Sequence, residues 1–324
     1  MPAVFHVRDM TFVLGIDAGG TKTVCQLADD TGAVLAEARR GGANLQASGE
    51  LEVEKVLHDV MEEALGDRAG LVPAAICLGI AGVDREDDAR VVRELMKRIG
   101  YKARILVVND ALIALEAGAP EQPGVVVIAG TGSIAYGRND RDQAARAGGW
   151  GYMLGDEGSG FWIGRAALRA VLREADRRGP ATLLTGLLLR YYGVARPQDL
   201  IAEVYHGTLR PSAIASLAQC VQGAFSDGDQ VAIGILRAAA DQLESSGMSV
   251  ARRLDLVGSE IPFVLSGGIF RAVPWLEEEL SRRLPLAAPR SRIVPLTVEP
   301  ASGAVRLALA EARGGYHIPA YKTD

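Results

Sequence analysis

Leu14-Gly15-Ile16-Asp17-Ala18-Gly19-Gly20-Thr21-Lys22-Thr23 leads from an apolar stretch through a pair of glycines into a second β-rich run. Phe12 to Ile16 is apolar, and Thr23, Val24 and Cys25 resume a β-forming pattern, so the segment reads as strand, tight turn and strand. Its Gly-x-x-x-x-Gly spacing resembles a phosphate loop, but Thr21 stands before Lys22 and no helical pattern follows. Amides offered to an anion would come from a hairpin turn, not from a helix N-terminus. Gly19 and Gly20 carry no Cβ and let the backbone approach a phosphate closely, while Thr21 and Thr23 can add hydroxyls. Asp17 ends the first strand. A carboxylate beside a polyphosphate is repelled unless Mg²⁺ lies between them, so its position implies the metal. Taken alone, Asp-Ala-Gly-Gly reads equally well as an ordinary hairpin turn.

The chain has 324 residues, which suggests two domains of ordinary size. A hydrophobic content of 48% with 23% charged residues is a globular balance. The net charge of -5 argues against nucleic acid as a partner, since phosphate backbones select basic faces. No apolar run reaches the length of a membrane span, and Met10 to Ile16 is too short for a signal peptide, so a cytoplasmic location is expected. Cys25, Cys77 and Cys220 are far apart and fit reduced thiols with no zinc or iron-sulfur spacing. His6, His58, His206 and His317 lie near no motif, which points to a carboxylate for any acid-base step.

Outward from the hairpin, a third strand is read over Gly32 to Arg39 and a loop over Gly41-Gly42-Ala43-Asn44. Helical periodicity follows over Glu50 to Leu65, then a buried strand over Ala74 to Ile80. A charged amphipathic helix over Glu86 to Ile99, capped at Asp84, precedes a strand over Arg104 to Val108 and a helix over Ala111 to Ala117. This order describes one mixed sheet flanked by helices. Pro120 to Gly124 marks a junction. Beyond it Val125 to Ala129, Gly130-Thr131-Gly132-Ser133 and Ile134 to Tyr136 repeat the opening plan. A glycine-dense loop runs from Gly148 to Gly160. Helices are read over Phe161 to Ala175, Thr182 to Tyr192, Pro197 to Tyr205, Ser212 to Phe225 and Gln230 to Gly247. Pro262 to Leu265 is a strand and Ser266-Gly267-Gly268 a turn. Val273 to Leu284 is a helix, Ile293 to Pro295 a short strand, and Ala301 to Ala312 the last helix. The expected domains are 1–118 and 119–300, with the C-terminal helix at 301–313 able to pack back onto the first.

Two positions carry chemistry beyond the turns. Asp110 follows an apolar strand and so sits at a carboxyl end, where ligands bind in open α/β sheets. An ionised carboxylate there can orient an alcohol and accept its proton as a phosphoryl group transfers. Position alone serves equally for an N-cap of the next helix. The loop from Gly148 to Gly160 embeds Trp150, Asp156 and Glu157 among its glycines. Sugar hydroxyls suit carboxylates and backbone groups, and a sugar C–H face suits an indole. Asn44 reads first as a turn former, and Lys22 either as a solvated strand residue or as charge near phosphate.

With the hairpins at Gly15 to Thr23 and Gly130 to Ser133, and with Ser266-Gly267-Gly268-Ile269-Phe270, the chain resembles the sugar kinase, actin and heat-shock ATPase superfamily. Within it, the likeness is to the N-acetylglucosamine kinases and the related ATPases that include 2-hydroxyacyl-CoA dehydratase activases. The resemblance implies an α/β fold of two duplicated ribonuclease H-like, actin-like ATPase domains with a nucleotide cleft between them. It implies ATP bound by Gly19, Gly20, Thr21, Lys22, Thr23, Thr131, Gly132, Gly267 and Gly268, and Mg²⁺ held by Asp17 through water. Val108-Asn109-Asp110-Ala111 matches the segment whose Asp is the base. Asn44, Asp110, Ser133, Gly149, Trp150 and Asp156 correspond to sugar-contacting positions. Some of these kinases carry Asn where this chain has Ile134, so one amide of the expected pocket is missing. The implied reaction is ATP-dependent phosphorylation of N-acetylglucosamine to its 6-phosphate, with glucosamine or N-acetylmuramate as alternative acceptors, by a homodimer with no nucleic-acid or membrane partner. An activator of a radical dehydratase would need closely placed cysteines, and a nucleotide-dependent switch a DNA- or peptide-binding segment. Neither feature is visible, nor is the zinc-binding cysteine cluster of the ROK sugar kinases.

Overall fold

A computed structural model describes residues 11–43, 49–68, 70–83, 86–205 and 210–322. Its contacts divide the chain into two compact units. The first runs to Gln122 and takes up again over Leu296–Ala320, and the second holds Pro123–Pro295 with the tail from Tyr321.

The first unit is built on a five-stranded sheet. β1 (Val13–Ala18) turns into β2 (Lys22–Ala28), and β3 (Val34–Gly41) continues the meander. Helix α1 (Glu50–Leu65) leads to β4 (Ala75–Ile80), and α2 (Glu86–Ile99) to β5 (Arg104–Asn109) and α3 (Asp110–Gly118). The order is β3-β2-β1-β4-β5. β1 lies in the middle and is buried along its whole length, which is why it reads as a continuous apolar run and not an alternating one. β3 is the edge and is largely exposed. Because β1, β4 and β5 are parallel, their carboxyl ends fall in one row: Ala18 pairs with Ile80, and Ile80 with Asn109. Asp17 and Asp110 flank that row.

The C-terminal helix Ala301–Arg313 covers this sheet within the same unit. A Cβ on Gly15 would run into the Val305 amide and the Ala301 carbonyl, and one on Gly303 into the Ile113 carbonyl. Gly15 therefore serves helix-on-strand packing rather than the turn that follows it.

The second unit repeats the plan. β6 (Gly124–Ala129) turns into β7 (Ser133–Arg138), and β8 (Gln143–Gly148) pairs antiparallel with β7. The sequence reading has no strand at β8, whose Ala, Arg and Gly are weak β-formers; pairing with β7 makes it one. Helix α4 (Gly160–Ala175) and a helical layer ending in Gln230–Arg253 lead to β9 (Pro262–Ser266) and β10 (Arg292–Pro295). Among the described residues, Ser212 to Phe225 is not one helix. It divides into Pro211–Ser216 and Ala218–Ser226. The next helix runs through Gly247 to Arg253, because its buried face continues over Met248, Val250 and Ala251. A five-residue helix, Gly268–Ala272, follows the turn after β9. The short strand Ala320–Tyr321 closes the sheet beside β8. Among the described residues, no helix is long and apolar enough to cross a membrane.

Candidate active site

The first unit brings Asp17, Asp110, Lys22 and Glu299 together, with Arg39 behind Glu299. Asp17 is buried at 8% exposure. Burial and then the negative charge of Asp110 raise its carboxyl from 3.8 to about 7, with Lys22 acting in the opposite sense and Glu299 adding to the rise. Asp110 is the first residue of α3. The cap of that helix is Asn109, whose side-chain oxygen accepts the Ala111 N–H at 2.8 Å. The alternative reading of Asp110 as the N-cap is thereby removed. Lys22 Nζ lies 2.6 Å from Glu299 Oε2, and Arg39 Nη2 2.9 Å from Glu299 Oε1. Burial tends to raise the Glu299 carboxyl, yet the bond and charge of Lys22, with Arg39 behind them, hold it below the usual range. The side chain of Lys22 is thus committed to a carboxylate that lies 277 residues away in sequence.

The first glycine turn is closed by its own backbone. Gly19 N–H donates to the Lys22 carbonyl at 3.0 Å, and Gly20 and Thr21 stand exposed. The loop after β3 passes directly over it: Ala43 N–H donates to the Gly19 carbonyl at 3.0 Å, and a Cβ on Gly42 would overlap the Gly20 carbonyl. Gly42 is required by that crossing. Thr23 needs correction as a phosphate ligand. It is fully buried, and its hydroxyl donates to the Gly41 carbonyl at 2.8 Å, so it ties β2 to β3 instead. Asn44 lies outside the described residues, as does Asp84.

In the second unit, the turn Gly130–Gly132 is built into the loop that follows β8. The Gly130 and Thr131 carbonyls accept the N–H groups of Gly160 and Phe161 at the start of α4. Asp156 holds the loop to the hairpin. Its backbone is left-handed, with φ 58°, its carboxylate accepts the Gly151 N–H at 3.1 Å and the Ser133 N–H, and it packs where a Cβ on Gly132 would stand. Burial raises its carboxyl, and the two N–H donors moderate the rise. Ser133 is buried and donates its hydroxyl to the Glu157 carbonyl at 2.8 Å. Gly149, at φ 69°, rests on the Ile134 side chain, and Trp150 is 60% exposed. After β9, Gly267 takes φ 116° where a Cβ would strike the Ala129 backbone, and Gly268 is exposed.

The sequence pattern of the BadF/BadG/BcrA/BcrD ATPase family matches residues 14–308. The chain belongs to this family. A Clostridium acetobutylicum relative, an N-acetylmuramic acid/N-acetylglucosamine kinase, is 38% identical over 93% of this chain and 99% of its own length. The N-acetyl-D-glucosamine kinase of Dictyostelium discoideum is 34% identical over 91% of this chain and 97% of its own. A crystal structure from Chromobacterium violaceum, provisionally named an N-acetylglucosamine kinase, superposes with a TM-score of 0.74 at 29% identity, covering 92% of this chain and 99% of that one. The mixed α/β architecture with two sheets is the actin-like ATPase fold of sugar kinases.

Members of an ATPase family take ATP, and Asp17 is the carboxylate whose chemistry would suit a magnesium ion bound with it. Asp17 is a buried carboxylate beside a second one, and a divalent cation would relieve the cost of ionising it. Among the described residues, no group of three or more His, Cys, Asp or Glu is placed to cage a metal. One carboxylate supplemented by phosphate oxygens and water is the usual way magnesium is held. Cys25 and Cys77 are fully buried in the first unit, where burial raises their thiols, and Cys220 is half-buried in the second. Two contacts of the site had no role in the sequence reading: Asn109, which caps α3 and was legible from its position before Ala111, and Glu299, which pairs with Lys22 and Arg39 and carries no local signal.

Proposed function

We propose that this chain transfers the terminal phosphoryl group of ATP to N-acetylglucosamine, giving the 6-phosphate, with Asp110 as the general base. The observation that carries the reading is the placement of Asp110: at the carboxyl end of β5, with Asn109 supplying the cap, and close enough to buried Asp17 to raise its carboxyl. An ionised Asp110 accepts the proton of the acceptor hydroxyl as the oxygen attacks phosphorus. Asp17 would hold Mg²⁺, through water, and the ion when bound neutralises charge on the phosphates. Gly20 and Thr21, exposed in the turn of the first unit, and Thr131, Gly132, Gly267 and Gly268 in the second, are the groups we assign to the nucleotide. Gly19 contributes by closing its turn, and Lys22 acts from its ion pair with Glu299. Asp156, Ser133, Gly149 and Trp150 recognise the sugar, and Asn44 is assigned to it from sequence alone. The names of the two curated relatives support an amino-sugar acceptor. A homodimer, which the family likeness implies, is part of the same reading.

The test is ADP release from Mg-ATP with N-acetylglucosamine, glucosamine, N-acetylmuramic acid, glucose or no sugar. Stimulation by an amino sugar should fall about 10²- to 10⁴-fold in Asp110→Asn. Sugar-independent hydrolysis that survives the substitution would overturn the assignment.

A further inference from the structure

We infer that Arg146 selects amino sugars bearing a carboxylate, the lactyl ether of N-acetylmuramic acid being the form to test. The inference rests on the kinase reading above and narrows the substrate class of the same site.

Register places the side chain. Ile134 pairs with Gly148 and Tyr136 with Arg146, so these four residues share one face of the β7–β8 ladder. Ala135 and Ala147, between them in sequence and paired with each other, face the core on the opposite side, Ala135 within it and Ala147 packed against it. Arg146 therefore stands on the face away from the core, two residues before the glycine loop. Its Nη1 donates to the Gly148 carbonyl at 2.8 Å, and its Cζ lies 4.3 Å from the centroid of the Trp150 ring. These two contacts hold a guanidinium at the rim of the loop, against the indole assigned to the sugar.

Beside the cation is an apolar surface. The Ile134 side chain fills the space under Gly149, where a Cβ would come 2.8 Å from its Cδ1. Met153 and Leu154 are exposed on the same loop. A lactyl ether carries a methyl group and a carboxylate on one carbon. The methyl suits Ile134, and the carboxylate suits the planar fork of an arginine, which binds carboxylates through paired N–H groups. The positive charge also offsets the repulsion that an anionic sugar would meet from Asp156 and Glu157 in this loop. A neutral sugar offers it only hydroxyl and carbonyl oxygens, whose hydrogen bonds lack the charge-assisted, paired component.

The experiment compares kcat/KM for N-acetylmuramic acid and N-acetylglucosamine at saturating Mg-ATP, in the wild-type chain and in Arg146→Ala. The wild type should phosphorylate both, and the preference for N-acetylmuramic acid over N-acetylglucosamine should fall about 10- to 100-fold in the variant, mainly through KM, as expected for a charge-assisted hydrogen-bonded pair. Arg146→Gln keeps a donor without the charge and gives the same readout if the alanine variant does not fold. An unchanged ratio, or equal loss with both sugars, overturns the inference. Wild-type activity on N-acetylglucosamine, with N-acetylmuramic acid at the rate seen without sugar, overturns it and leaves the kinase reading standing. If no amino sugar is phosphorylated, the kinase reading falls and takes this inference with it.

Discussion

Replacing Asp17 by Asn should make the protein more stable at neutral pH and abolish that advantage in acid. In the fold the Asp17 carboxyl is raised from 3.8 to about 7, first by burial and then by Asp110. Between those two pH values the unfolded chain gives up the proton while the native chain keeps it, so native stability falls as pH rises through the window and levels off above it. At 1.36 kcal/mol per pH unit, the full displacement corresponds to about 4 kcal/mol. Asn has the same shape and no charge to bury, so the variant lacks this loss. Urea unfolding at intervals from pH 4 to pH 8.5, without nucleotide or metal, reads it directly: the stability difference should grow from near zero at the acid end to about 4 kcal/mol at the alkaline end. Asp110→Asn removes the second cause and should move the midpoint of the rise to lower pH. A difference that stays constant across the series would refute the claim that Asp17 is a buried carboxylate under strain from its neighbour. The same substitution should abolish sugar-stimulated turnover, so that stability and activity move in opposite directions.

Gly132→Ala places a methyl group against the Asp156 carboxylate and should cost about 1 to 3 kcal/mol, with loss of sugar-stimulated ADP release, read by thermal melting and the coupled assay. Thr23→Val removes a buried hydroxyl bonded to the Gly41 carbonyl and should cost about 1 kcal/mol while leaving the KM for ATP within about twofold; a large KM change would restore Thr23 as a ligand. Glu299→Gln breaks partly exposed ion pairs with Lys22 and Arg39 and should cost no more than about 1 kcal/mol, but it should lower the Asp17 midpoint in the pH series, because Glu299 contributes to the rise.

Much of the framework is legible locally. The ends of α1 and α2 follow from apolar periodicity, and the hairpins at Gly19–Thr21 and Gly130–Gly132 follow from glycines between β-rich runs. Asp17 could be named from its place before the glycine turn, and Asp110 was placed at a strand's carboxyl end, where position served a cap equally well and the family resemblance chose the base. The strand β8 was not legible. Its Ala-Ala-Arg-Ala core has no β preference of its own, and the partner that makes it a strand is β7. The break at Leu217 and the extension through Gly247 were likewise settled by what each face packs against.

The sequence by itself determined the two glycine hairpins, the strand ends that carry Asp17 and Asp110, and the glycine loop that carries Trp150 and Asp156, since each depends on residues within a few positions of one another. The tertiary structure decided what those groups are bonded to. It joined Lys22 to Glu299 across 277 residues, gave the cap to Asn109, spent the Thr23 hydroxyl on Gly41 and set Arg146 against Trp150. Proton affinity and hydrogen-bond partnership depend on burial and on charges brought together from distant parts of the chain, and no local pattern of residues encodes that.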